Sequence, residues 1–131
     1  MEVKWQRLSL FQNNYKYMKY VIDAQNKKIG RVAGEAASIL MGKNTPEYSR
    51  NTIPNVTVEI INTSKADINS VRMDDKYYKN YSGYPGGQRI RTMKKVIDDK
   101  GYSEVFKIAV KGMLPDNKLK AKMMTNLIVT E

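Results

Sequence analysis

A chain of 131 residues, 41% of them hydrophobic and 27% charged, has the length of one domain and the composition of an ordinary globular protein. It carries 23 Lys+Arg against 13 Asp+Glu, a net charge of +10 and a sequence pI of about 9.7, a balance that points to a polyanionic partner. Having neither cysteine nor histidine, it excludes disulfides, thiolate zinc sites, the Ser-His-Asp arrangement and a histidine general base; no run approaches the roughly 18 apolar residues of a membrane span.

In chain order, the first segment is Met1–Tyr17, MEVKWQRLSLFQNNYKY, which is basic and sets Trp5, Leu8 and Phe11 three apart. It reads as an N-terminal extension laid on a partner. The alternatives are an organellar transit peptide, for which Glu2 is atypical, and an extension resting on its own domain. Residues 18–131 read as a single α/β domain. Tyr20–Asp23, YVID, is a short apolar run suited to a buried strand. Ile29, Val32, Ala33, Ala36 and Leu40 then recur at helical spacing over Ile29–Met41, and Gly42 is the stop. Val56–Ile61, VTVEII, is β-branched and strand-like. Strand, helix and strand in succession predict a right-handed crossover and a parallel sheet.

Tyr77 and Tyr78 follow, on a strand or a stiff extended loop, and after the glycine-rich stretch Thr92–Lys100 is a short helical segment ended by Gly101. Ser103 is the expected N-cap of the next helix, whose apolar face is Val105, Phe106, Ala109, Val110 and Met113 and which Pro115 stops. Lys118–Asn126 reads as a last helix and Leu127–Val129 as a terminal strand. No internal repeat or low-complexity segment interrupts this order.

Three groups of residues carry the positive charge. The densest runs from Lys76 to Lys95, where Lys76, Lys79, Arg89, Arg91, Lys94 and Lys95 occur with no acid among them. Tyr77, Tyr78, Tyr81 and Tyr84 are interleaved with these cations. Cations neutralise phosphates, and tyrosine rings stack on unpaired bases; glycines let the backbone approach closely. One or two of the tyrosines, Tyr77 or Tyr78 by strand alternation, are expected to pack on the core instead. A second group, Lys27, Lys28 and Arg31, stands at the entrance to the first helix. There, cations oppose the helix dipole unless a phosphate fills the spot; the alternative is that the lysines lie in the preceding loop at almost no cost. The third group is Lys111, Lys118, Lys120 and Lys122, with Lys118 and Lys122 placed to share a helical face.

Other chemistries find little purchase. Gly42-Lys43 lacks the upstream glycine of a P-loop and is followed by Asn44, and Gly30 and Gly34 fall inside a helical pattern rather than a dinucleotide fingerprint. Asp74-Asp75 and Asp98-Asp99 are the only paired carboxylates and have no third ligand. The eight methionines, Met123-Met124 included, read more simply as core filler than as a binding surface.

Four segments in order, DAQNKKIGRVA (Asp23–Ala33), GKNTPEY (Gly42–Tyr48), YSGYPGG (Tyr81–Gly87) and VKGMLP (Val110–Pro115), resemble the large-subunit ribosomal protein family L-thirteen over roughly Met18–Val129. The resemblance implies an α/β fold, a three-layer α/β/α sandwich with a central, mostly parallel four-stranded sheet. It further implies a non-enzymatic protein that binds large-subunit, 23S-type rRNA beside neighbouring ribosomal proteins and supports subunit assembly, with no cofactor, small-molecule substrate or membrane. Its place would be the cytoplasmic ribosome, or an organellar one. The positions it sets against RNA are Lys28, Arg31, Lys43, Lys79, Tyr84, Arg89, Lys111 and Lys118, to which the charge pattern adds Lys27, Arg91, Lys94 and Lys122. Tyr81 stands where the family often has histidine, Lys120 where it has Gly or Ser, Thr130 where it has an aromatic residue, and NTIPN (Asn51–Asn55) lacks the family's Asp-Gly-Asp character. The rival readings are an RNA-binding regulator acting off the ribosome and a small phosphate-using enzyme.

Overall fold

The computed structural model describes residues 18–131; the expectations for Met1–Tyr17 lie outside them. Strand β1 (Met18–Asp23), helix α1 (Ile29–Leu40) and strand β2 (Val56–Ile61) form the expected crossover, with β1 and β2 parallel and Met18 opposite Val56. Strand β5 (Leu127–Val129) joins the far side of β2, also parallel, so the sheet order is β1-β2-β5. Between them come α2 (Ser70–Asp75), the antiparallel pair β3 (Tyr77–Tyr81) and β4 (Gln88–Thr92), and helices α3 (Met93–Lys100), α4 (Tyr102–Met113) and α5 (Lys120–Thr125).

Side-chain alternation decides which face of the sheet is core. Val56, Val58 and Ile60 of β2 point inward with Ile22 and Leu127, against the α1 stripe Val32, Ala33, Ala36 and Leu40 and against Phe106 and Val110 of α4. These alanines let α1 lie close to the sheet and to α4. A second, smaller core of Met93, Val96 and Val105 lies under α3 and α4 and takes in Tyr78 of the hairpin.

The outward row is Val21, Glu59 and Ile128, paired in register across the three strands. Val21 is 47% and Ile128 44% exposed, and Lys19 Nζ meets Glu59 Oε2 at 2.8 Å on this face. The four-stranded, three-layer sandwich implied by the resemblance is therefore corrected: among the described residues the main sheet has three strands. β3 and β4 satisfy their backbone groups with each other instead of extending it.

Two local expectations are also corrected. Ser103 lies inside the first turn of α4 rather than capping it; the cap position is Gly101, and the Glu131 carboxylate accepts from the Tyr102 N–H at 2.9 Å. The last helix begins only at Lys120, so Lys118 sits in the preceding turn and the Lys118–Lys122 helical pair is not formed. Lys120 pairs with Asp116 at 2.6 Å.

Candidate nucleic-acid interface

The loop carrying Lys27 and Lys28 leaves the end of β1 and is sewn to the loop after β2. Asp23 Oδ1 accepts from the Gln25 N–H at 3.0 Å and from Asn62 Nδ2 at 3.0 Å. Asn26 N–H donates to the Lys65 carbonyl and Asp67 N–H to the Lys27 carbonyl, each at 3.0 Å. The Asp23 carboxyl is consequently held below the ordinary carboxylate range, first by the Gln25 N–H, then by the Asn62 amide, with Lys27 and Lys65 adding positive field. Lys28 takes the N-cap position of α1, and its side chain makes no capping hydrogen bond. Arg31 lies in the first turn, exposed, and no acid shares that turn.

Beside this helix start is a cleft of about 500 Å³ that brings Lys28 and Gly30 together with Asn69 and Arg72 at the start of α2 and with Met93 beneath the hairpin. Arg72 and Asn69 were invisible as partners of Lys28 from the sequence, which separates them by some forty positions. Asn69 is spoken for in part, since its Oδ1 accepts from the Val71 N–H at 3.1 Å. Asp67, also on the cleft wall, lowers its positive charge by one.

The hairpin resolves the densest cluster into two faces. Cross-strand partners share a face, so Tyr77, Lys79 and Tyr81 stand with Thr92, Ile90 and Gln88, while Tyr78 and Asn80 stand with Arg91 and Arg89. Lys79 and Arg89, members of the same basic cluster, point to opposite sides. Tyr78 is the tyrosine that packs inward: burial pushes its phenol up, and Lys76 Nζ lies 5.8 Å from its ring centroid. Tyr77, Tyr81 and Tyr84 are exposed, Tyr84 at 75%. Gly83 and Gly86 have φ of +86° and +72°, so these glycines are required by the turn itself. Arg91 reaches Asp99 Oδ2 at 4.0 Å. Directly after β4, the Thr92 hydroxyl caps α3 by accepting from the Lys95 N–H at 3.3 Å, which sets Lys94 and Lys95 in the exposed first turn.

The remaining expected positions lie toward the other end of α1. Lys43 follows that helix, and Lys111 is in the last turn of α4, which packs on α1. Lys118 and Lys122 flank the start of α5, all four exposed. A second cleft, of about 330 Å³, places Lys43 beside Tyr48 and Arg50. Tyr48 and Arg50 fall in the loop between α1 and β2, where no periodicity marks them.

Twelve residues of α1 separate these two groups by about 18 Å along the helix. Of the cations expected to face RNA, only Arg91 has a carboxylate within ion-pair distance among the described residues. All are exposed except Lys27, which is half-buried. Cations held out on sewn loops without acidic partners keep their full charge for an external anion. The geometry offers phosphate neutralisation at two separated places, with exposed tyrosine rings on the hairpin and Tyr48 beside Lys43.

A family model described as "Ribosomal protein L13" matches residues 17–131. The "Large ribosomal subunit protein uL13" of Caldanaerobacter subterraneus subsp. tengcongensis is 42% identical over 110 residues, which is 84% of this chain and 76% of that protein. The proteins of the same name from Clostridioides difficile (38% over 110 residues, 84% and 76%) and Geobacter sp. strain M21 (41% over 108 residues, 82% and 75%) are also similar to it.

Proposed function

Since the chain belongs to the ribosomal protein L13 family, we propose that it is a structural constituent of the large ribosomal subunit that acts by binding rRNA and catalyses no reaction. The observation that carries the mechanism is the set of cations at both ends of α1, exposed except for the half-buried Lys27 and, apart from Arg91, without an ion-pair partner among the described residues. A rigid core of sheet and helices holds them apart. RNA segments that would repel one another are each neutralised at one end, and the protein braces their tertiary arrangement. The partners are large-subunit, 23S-type rRNA and the ribosomal proteins that lie beside it, and the protein's place is the ribosome. Within this reading Lys27, Lys28, Arg31, Lys79, Tyr84, Arg89, Arg91 and Lys94 serve one end, and Lys43, Lys111, Lys118 and Lys122 the other.

Sedimentation of cell extract through sucrose at moderate salt tests the assignment. The chain is expected in large-subunit fractions at one copy per subunit. Its absence from washed subunits, with the protein recovered at the top of the gradient, would sink the proposal.

A further inference from the structure

On the footing of that rRNA-binding role, we propose that the cleft between the loop after α1 and the turn before α5 is a pocket for one unpaired nucleotide, base inside and phosphate at the rim. Its volume of about 330 Å³ is at the small end of ligand sites, enough for a base and part of its ribose. The floor is apolar: Met123 is buried, Met41 half-buried, and Pro115 closes one side. Thioether side chains give a deformable, polarizable bed for a flat ring. Tyr48, 44% exposed, forms the wall on which such a ring would stack.

At the rim stand Lys43 and Arg50, both exposed and neither ion-paired among the described residues. Of the nearby acids, Glu47 does not line the cleft, and Asp116 is engaged by Lys120 at 2.6 Å. Asn117 and Ser49 also line the cleft and supply an amide and a hydroxyl that can hydrogen-bond a base edge or a 2′-hydroxyl.

The walls are built before any ligand arrives. Lys43 N–H donates to the Ser38 carbonyl at 3.1 Å, Thr45 Oγ1 to the Gly42 carbonyl at 2.8 Å and Tyr48 N–H to the Thr45 carbonyl at 3.3 Å. Across the cleft, Asn117 N–H donates to the Pro115 carbonyl at 3.0 Å and Lys120 N–H to the Asn117 carbonyl at 3.2 Å. A regular duplex presents phosphates on a convex surface and keeps its bases stacked, so it would leave the apolar floor unused. A nucleotide turned out of the stack uses floor, wall and rim together.

The test titrates the full-length free chain with a single-stranded hexaribonucleotide and, separately, with the same strand paired to its complement, following the methionine methyl signals by NMR. The single strand is expected to move Met41 and Met123 by ring current, and the duplex to leave them in place. Tyr48→Ala should weaken this binding about tenfold or more, Tyr48→Phe should retain it, and Arg50→Glu should weaken it in a salt-dependent way. Unmoved Met41 and Met123 signals, while backbone amide signals of the hairpin recorded in the same titration shift, would overturn the pocket and leave the rRNA-binding role standing. So would a chemical cross-link showing another protein's side chain seated there in assembled subunits. Absence of the chain from subunits would remove the ribosomal role instead.

Discussion

At Asp23 one carboxylate oxygen receives both the Gln25 N–H and the Asn62 amide, and those two bonds fix the loop from which Lys27 and Lys28 project. Asn62 itself holds φ of +58°, a left-handed conformation that asparagine tolerates better than most residues, so its side chain is aimed by its own backbone. The carboxyl's depressed pKa has a direct consequence for acid stability. The contribution of a depressed carboxylate is complete above its unfolded value, near about 3.9, and disappears as pH falls through the lower folded value. Asp23→Asn should therefore be less stable than the parent in urea melts at neutral pH. The gap should close as pH falls through the lowered folded value of Asp23, below which both side chains are neutral. A difference that stayed constant across that range would show that the charge of Asp23 contributes nothing.

Among the elements, the hairpin carries the most specific expectation. Arg89 and Arg91 share one face, so reversing both to Glu removes cations from a single surface and leaves Lys79 and the exposed rings on the other. The double variant should bind rRNA more weakly, and its log K against log salt plot should flatten by about one unit for each lost phosphate contact. Because Arg91 already faces Asp99 at 4.0 Å, Arg89 should account for the larger share. Filter binding over a salt series reads both quantities; an unchanged slope would mean that neither arginine meets phosphate. The legibility of each element in the sequence follows its physics. α1, β2 and β5 were readable because burial imposed a period on them, and their ends fell within a residue of expectation or on it. Helix α2 was missed because it buries none of its six residues, so no apolar period marks it. Strand β4, QRIRT, was missed for a related reason: its partner across the hairpin, rather than a core, holds it extended. The basic clusters were legible as composition, yet the sequence could not tell that Lys79 and Arg89 look opposite ways, or that Arg72 and Tyr48 would join Lys28 and Lys43.

For the whole molecule, the seam between β2 and β5 closes the fold from a long way off. Thr130 donates to the Ile60 carbonyl through its N–H at 2.9 Å and its hydroxyl at 3.2 Å, and the two residues lie 70 positions apart. Thr63 Oγ1, fully buried, donates back to the Thr130 carbonyl at 3.2 Å. By contrast, β1, α1 and β2 are a nearly continuous stretch of chain whose contacts are local by comparison. Loop closure makes distant pairings the later ones, so β5 docks after the crossover has formed. Leu127→Ala should then cost about 2–5 kcal/mol and act mainly by speeding unfolding, leaving the refolding rate nearly unchanged in stopped-flow measurements. A matching fall in the refolding rate would place β5 in the folding nucleus. Until that strand arrives, one edge of β2 is bare, and a bare edge is where two copies of a chain add to each other's sheets. A net charge of +10 keeps like chains apart during that interval. The excess of lysine and arginine thus has a use before any RNA is met, as a guard on an unfinished sheet.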